Sequence, residues 1–247
     1  MRDLVAAETA KTAVGRALPV LASSGVAFAL ATVVSLAAKD ARAVAAGTMT
    51  AGDATDDAVR YWMTLHLFAA LFGALLVTRE YARGTITRSV LLAGGRGRLV
   101  AAKAVAGTVI GLGFAGIAAL GAAVSPWVFL APRDAAPQWT ERTWDVLAGV
   151  VAVVALAAPW GVFVGWIARS QVVAVGFLVL TTVGLEPLLF DAVPALGRCL
   201  PTIAMSSVYL DTKAGLLPVP AALAVLAAWL AAAWIVADRR FARQDVR

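Results

Sequence analysis

The chain has 247 residues, of which 61% are hydrophobic and 15% charged, and its net charge is +6. Its mean hydropathy is +0.84. Soluble domains carry roughly 45–50% apolar residues. The additional apolar residues of this chain could not all be buried beneath a polar surface. The composition therefore excludes a water-soluble domain and predicts an all-α integral membrane protein.

The apolar residues fall into runs that can be taken in chain order. A membrane span needs roughly 20 mostly apolar residues. Six runs approach or reach this length, and residues 1–247 are expected to form a single transmembrane domain. The predicted spans cover about 18–38, 61–78, 99–125, 146–167, 172–185 and 219–237.

The residues before the first span mix charges with alanines. Leu4, Val14 and Leu18 fall near one helical face, which favours an interfacial helix on the inner membrane surface; a disordered lead-in is the alternative. Residues 39–60, after the first span, are rich in aspartate. We expect them to form a polar loop.

The segment between the last two spans, residues 186–217, is semi-polar and broken by prolines. It predicts short helices on the outer side that dip into the membrane without crossing it. Glu186 precedes Pro187, and we expect this carboxylate to mark the end of the fifth span.

The charged residues select an orientation. One side of the predicted topology contains the N-terminus, residues 79–103, Arg169 and the C-terminal tail, and it carries twice as many lysines and arginines as the other. The positive-inside rule places this side in the cytoplasm, with both termini. We expect a multi-pass protein of the cell membrane whose basic residues contact lipid headgroups, with no nucleic-acid partner.

Residues that could perform chemistry are scarce. One cysteine, Cys199, excludes an internal disulfide and a multi-cysteine zinc site. The single histidine, His66, lies within the second span; a proton relay or haem ligand is one interpretation, and a neutral ring bonded to a backbone carbonyl or a neighbouring helix is favoured. We therefore predict no catalytic residue, no metal and no cofactor.

Two glycine pairs have the spacing of close helix contacts. Gly107 and Gly111 lie in the third span, and Gly161 and Gly165 lie in the fourth. Small residues four apart let two helix backbones approach closely. The pattern alone does not identify a dimer face.

The most informative segment is 79–98, which joins the second and third spans. Three residues could make this connection, yet about twenty are present, and Ile86, Val90 and Leu91 lie among charges. The pattern favours a short helix on the inner surface, with Gly84-Thr85 as a bend or cap. A solvated basic loop that only sets topology is the alternative.

This segment resembles the type-2 membrane subunits of ABC transporters. The resemblance rests on Glu80 at the end of the second span, Gly84-Thr85, the apolar stretch Ser89 to Leu92, the basic turn with Arg96 and Arg98, and Lys103 at the start of the third span. Glu8-x-x-Lys11-Thr12 is similar to the family's interfacial helix. The turn reads Ala93-Gly94-Gly95-Arg96, where the family often has Pro followed by Ser/Thr-Arg.

The resemblance implies a permease subunit without its own nucleotide-binding site, and so not an enzyme. Segment 79–98 would be a coupling helix that docks on a separate cytoplasmic ABC ATPase, with Glu80, Gly84, Thr85 and Arg88 as coupling residues. A second permease copy or paralogue and membrane lipids would be the other partners. Family analogy favours export, and the apolar spans favour a lipophilic or amphipathic substrate.

Two other classes of protein remain open. One is an ATPase-independent polytopic membrane or assembly protein without catalytic activity. The other is a membrane enzyme or redox anchor, which bound haem or quinone would indicate.

Overall fold

A computed structural model of the chain describes residues 1–13 and 16–242, so Val14 of the predicted interfacial face lies outside the described residues. The described part is 85% helical, with no strand. Its α-helices are α1 (Arg2–Ala13), α2 (Ala17–Ala45), α3 (Ala51–Arg60), α4 (Leu65–Ala82), α5 (Ile86–Ala93), α6 (Arg96–Phe129), α7 (Glu141–Ala168), α8 (Gln171–Leu180), α9 (Glu186–Ala192), α10 (Pro194–Gly197), α11 (Pro201–Val208) and α12 (Val219–Ala242).

Six continuous helical stretches are long and apolar enough to cross a membrane. They cover Ala17–Ala45, Ala51–Ala82, Arg96–Arg133, Glu141–Ala168, Gln171–Ala192 and Val219–Ala242. Large apolar side chains such as Leu112, Leu120 and Val172 are exposed on their outer faces, as expected for helices surrounded by lipid. The prediction of an all-α fold with six long apolar helices is confirmed.

Residues 39–60 do not form the polar loop that the sequence predicted. Helix α2 continues to Ala45, and α3 begins after Thr50, whose side chain accepts a hydrogen bond from the Asp53 backbone N–H at 3.0 Å. This is an N-cap, which satisfies a backbone donor at the start of a helix. A short 3₁₀ turn, Tyr61–Thr64, then joins α3 to α4.

Two aspartates of this region are buried because other helices supply partners. The Tyr61 hydroxyl donates to Asp40 at 2.9 Å, and the Thr143 hydroxyl donates to Asp56 at 2.6 Å. Buried carboxylates are tolerated when such hydrogen bonds replace water. Tertiary contacts therefore keep helical a stretch whose composition alone suggested a loop.

The fifth long helix also continues beyond its predicted end at Glu186. A π-helical turn, Thr181–Leu185, leads directly into α9. Such local adjustments help a helix pass a proline, here Pro187. The Glu186 carboxylate is buried and accepts the Thr202 backbone N–H at 2.6 Å, so it binds the first turn of α11 and does not end the helix.

The segment 186–217 contains the short helices that the sequence predicted, namely α9, α10 and α11. Helix α11 packs against α7 and α12. Its position relative to a membrane stays a prediction.

Helix α7 lies at the centre of the bundle and contacts α4 at backbone distance. A Cβ atom added to Gly161 would lie 1.9 Å from the Ala70 carbonyl oxygen, and one added to Gly73 would lie 2.0 Å from that of Ala158. Both values are far below any allowed contact, so only glycine fits. The predicted close-approach role of Gly161 is therefore realised within the chain.

The other glycine pair makes the contact between α6 and α7. A Cβ on Gly111 would lie 2.3 Å from the Ala155 carbonyl oxygen, and one on Gly107 would lie 2.7 Å from the Val162 side chain. Both pairs thus pack helices of the same chain, on either side of α7.

We predict that Gly161→Ala destabilises the protein, because its new methyl group would force α4 away from α7. Overpacking typically costs about 1–3 kcal/mol, and thermal unfolding in detergent micelles would report the loss. Gly116→Ala is the matched control, since a Cβ there meets nothing within 4 Å. Equal melting temperatures for the two variants would contradict the backbone contact.

Candidate functional site

The segment between the second and third long helices has a defined turn at each end of α5. At the first turn Gly84 has φ +66°, the Gly84 N–H donates to the Tyr81 carbonyl at 3.1 Å, and the Thr85 N–H donates to that of Glu80 at 2.9 Å. This pair of bonds closes a helix end with a left-handed residue, a position that suits glycine. The structure therefore places a turn where the sequence predicted a bend or cap.

The second turn repeats the same geometry at the end of α5. Gly94 has φ +70°, and the N–H groups of Gly94 and Gly95 donate to the carbonyls of Leu91 and Val90 at 3.2 and 3.3 Å. Helix α6 begins at Arg96. The segment therefore forms a short helix bounded by two defined turns, and it is not a solvated loop.

Beneath α5, Lys103 of α6 lies at the centre of a group of charges. Its ammonium donates to Glu8 Oε2 of α1 at 2.6 Å, to Glu80 Oε1 of α4 at 2.9 Å and to the Leu76 carbonyl at 3.2 Å. The Lys103 side chain is only 1% exposed. All three of its donors therefore have acceptors, which a buried ammonium requires.

Lys11 of α1 completes the group. Its ammonium pairs with Glu8 Oε1 at 2.5 Å and with Glu80 Oε1 at 3.2 Å, and it lies 3.4 Å from the Ser89 hydroxyl of α5. We call Glu8, Lys11, Glu80 and Lys103 the charge cluster. It joins α1, α4 and α6, and it reaches α5 through Ser89.

The cluster favours the charged forms of Glu8 and Lys11. Burial alone would raise the pKa of the Glu8 carboxyl, but the charge and hydrogen bonds of Lys103 and Lys11 outweigh it and keep this pKa below its ordinary value of 4.5. Burial alone would lower the pKa of Lys11, but bonding and attraction to Glu8 and Glu80 keep it above its ordinary value of 10.5. Between these two pKa values Glu8 and Lys11 both stay ionised.

The four residues assigned by resemblance do not all come together. Glu80 lies in the charge cluster, and Gly84 and Thr85 form the turn that follows it. Arg88 is exposed on α5 and forms no ion pair within the described residues.

Sequence reasoning assigned no site role to Glu8, Lys11 or Lys103. The signal for Lys103 was present, because a lysine in an apolar run requires a buried partner. The identity of that partner could not be predicted from the sequence, because Glu8 is 95 residues away along the chain.

The outward face of α5 combines charge with exposed apolar surface. Leu91 and Leu92 are 77% and 73% exposed, and Arg88 lies one turn earlier on the same face. Ile86 and Ser89, in contrast, face the bundle and are buried. The helix therefore presents one anchored face and one free face.

Two arginines bind the end of α12: Arg96 at the start of α6 and Arg169 between α7 and α8. The Arg96 guanidinium donates to the Ala242 carbonyl at 2.8 Å, and Arg169 donates to the Arg240 carbonyl at 3.2 Å. Cations are favourable at helix C-termini, where carbonyl groups lack partners. These contacts hold α12 at the same end of the bundle as the charge cluster.

His66 occupies the position that the favoured interpretation predicted. It is buried, and its Nδ1 lies 2.7 Å from the Met63 carbonyl oxygen. Among residues 1–13 and 16–242, no three His, Cys, Asp or Glu side chains are grouped closely enough to hold a metal ion.

No protein-family model matches the chain, and no curated protein sequence matches it significantly. Membership of a transporter family therefore stays a proposal that depends on the residues quoted above.

We predict that Lys103→Met destabilises the protein by about 3–5 kcal/mol, because two carboxylates would be left buried without their central cation. Replacing Glu8 and Glu80 by glutamine in the same protein should restore much of the loss. Lys213→Met is the control, since Lys213 pairs with Asp211 at 3.5 Å and is half-exposed, and such pairs contribute at most about 1 kcal/mol. Denaturant unfolding that ranks the two lysine variants equally would refute a buried cluster.

Acidification should release α1 from the bundle. Because the pKa of Glu8 is lowered in the folded protein, its contribution to stability is complete above the ordinary value of 4.5 and is lost as the pH falls through the lowered value. In a Cys199→Ser background, a spin label on Ala10→Cys should gain mobility only below about pH 4.5.

Two controls make this experiment specific. A label on Val236→Cys, which is exposed on α12, should not respond to the same pH change. With Glu8→Gln the label on α1 should be mobile at every pH. A label on α1 that stays immobile through acidification would show that Glu8 does not hold this helix.

Proposed function

We propose that the chain is the membrane-spanning permease subunit of an ATP-driven ABC transporter, with its ATPase on a separate chain. The single observation that carries the proposal is the construction of α5. It is a short helix whose inner face is tied to the charge cluster through Ser89 and whose outer face is free. This is the construction that a coupling helix would need.

The inner contacts supply a physical route for coupling. Glu80 at the end of α4 binds Lys103 at the start of α6 and Lys11 on α1. A displacement of α5 would therefore reach three helices through charge-assisted hydrogen bonds. Glu80, which the resemblance nominated for contact with a partner, would act instead inside this chain.

The free face supplies a docking surface. Arg88, Leu91 and Leu92 form a compact patch of one charge and two exposed leucines. Burial of exposed apolar side chains at an interface contributes to affinity. We propose that this patch enters a cleft on the cytoplasmic ATPase.

The proposal includes location and orientation. The charge cluster, the basic turn and the end of α12 lie at one end of the bundle, which is also its basic end. The positive-inside rule favours this end as cytoplasmic, with both termini, in the cell membrane. Export of a lipophilic or amphipathic substrate, along a path shared with a second permease copy or paralogue, follows from family analogy.

A second candidate is an ATPase-independent membrane or assembly protein. The burial of the charge cluster favours it, because four paired charges can also serve as a static brace between helices. The two candidates differ in whether the free face of α5 has a partner.

The deciding experiment is co-purification from the native membrane. We predict that Leu91→Ser combined with Leu92→Ser lowers the amount of ATPase recovered with the protein by about tenfold or more, because two leucines would no longer be buried at the interface. Transport-coupled ATP hydrolysis should fall in parallel, and membrane insertion should be unchanged.

The matched control combines Leu188→Ser with Leu196→Ser, which are 68% and 71% exposed outside α5. It should keep the ATPase. If the wild-type protein carries no ATPase at all, the assembly protein is the better assignment. If both double variants retain ATPase equally, α5 is not the docking site.

A further inference from the structure

A cavity of about 480 Å³ opens between α1, the end of α4, α5 and the start of α6. Its size falls within the usual range for small-molecule sites. It lies beside the charge cluster but extends well beyond it, and its wall combines a basic part with an apolar part. The ion pairs of the charge cluster explain neither the additional arginines of the basic part nor the apolar side chains of the other part.

The basic part carries uncompensated charge. Five cationic and two anionic side chains line the cavity. The two lysines are matched by the two carboxylates of the charge cluster. Arg79, Arg83 and Arg88 remain, and none of them pairs with an acidic side chain within residues 1–13 and 16–242. Guanidinium groups that line one cavity without an acidic partner favour a phosphate group.

The apolar part continues the surface of a membrane-crossing helix. Phe72, Leu75 and Leu76 line the cavity from α4, on the helical stretch that is long and apolar enough to span a membrane. Phe72 lies about 16 Å along the helix from Arg83, at 1.5 Å per residue. A ligand that fills this cavity must therefore be charged at one end and apolar at the other.

We propose that this cavity binds an anionic glycerophospholipid. Its phosphate contacts Arg79 and Arg83, and the first part of an acyl chain lies along Phe72, Leu75 and Leu76. A free phosphate would satisfy the arginines but would leave the apolar wall in contact with water. The amphipathic wall is what selects the lipid.

The charge cluster offers a further contact to the headgroup. Glu80 Oε2 is buried and has no hydrogen-bond partner within the described residues, and Glu80 lines the cavity. A hydroxyl on the headgroup, as in phosphatidylglycerol, is a donor of suitable chemistry. A choline headgroup has no such donor.

The inference goes beyond the proposed function and does not depend on it. A lipid in this cavity would contact α1, α4 and α5 whether or not α5 has an ATPase partner. The test accordingly uses the purified chain alone.

The experiment is native mass spectrometry of the protein in detergent with added dioleoyl phosphatidylglycerol. The wild-type protein should retain one tightly bound lipid. Arg79→Gln combined with Arg83→Gln should weaken this binding by about tenfold or more, because each basic residue adds to the attraction for an anionic lipid. Dioleoyl phosphatidylcholine should bind more weakly to the wild type.

The matched control is Arg98→Gln combined with Arg239→Gln. Both of these arginines are exposed and do not line the cavity. Their replacement removes two positive charges, as many as the Arg79 and Arg83 variant loses. This variant should retain phosphatidylglycerol as the wild type does. Equal loss in both double variants would assign the binding to net charge and overturn the site.

Two further outcomes would overturn the proposal. One is a wild-type protein that retains no phosphatidylglycerol. The other is displacement of the lipid by inorganic phosphate at comparable concentration, which would show that the arginines bind a free anion and that the apolar wall plays no part. Melting temperatures of all variants, measured alongside, should show that the arginine variants remain folded.

Discussion

The backbone contact of α7 with its two neighbours is the constraint on which the other features depend. Lipid is as apolar as a leucine side chain, so burial of apolar surface does not drive spanning helices together, and close packing must do so. Gly161 lets α4 approach α7, and Gly111 does the same for α6. These contacts fix the relative positions of the helix ends that carry Glu80 and Lys103. The charge cluster is therefore assembled by glycines that lie several helical turns away.

The charge cluster in turn gives specificity more than stability. Burying charged groups costs solvation that their attraction only partly returns. Apolar side chains of similar size in place of the whole cluster would stabilise the helix contacts equally well, but they would not select Glu8 over any other residue of α1. Because each carboxylate of the cluster contacts more than one cation, these ion pairs favour a single register of α1. That single register also defines the mouth of the adjacent cavity.

Much of the fold was predictable because it follows from local patterns. Hydropathy predicts the six long helices, and Gly84 and Gly94 predict the turns that bound α5. The errors arose where distant partners decide the outcome. Asp56 can be buried in a helix because the Thr143 hydroxyl donates a hydrogen bond to it, and the Glu186 carboxylate can be buried within a continuous helix because it accepts the Thr202 N–H of α11. For the same reason only part of the site could be predicted. Glu80 and the Gly84-Thr85 turn were assigned, but nothing near Lys103 in the sequence indicates that Glu8 is its partner.

The distance between Glu8 and Lys103 along the chain also has a consequence for biosynthesis. Translation proceeds at about 5–20 residues per second, and 95 residues separate the two partners. Helix α1 therefore leaves the ribosome many seconds before α6 exists, and during this interval Glu8 and Lys11 have only each other and, later, Glu80. Helix α1 can therefore take up its final contacts only after α6 has been made.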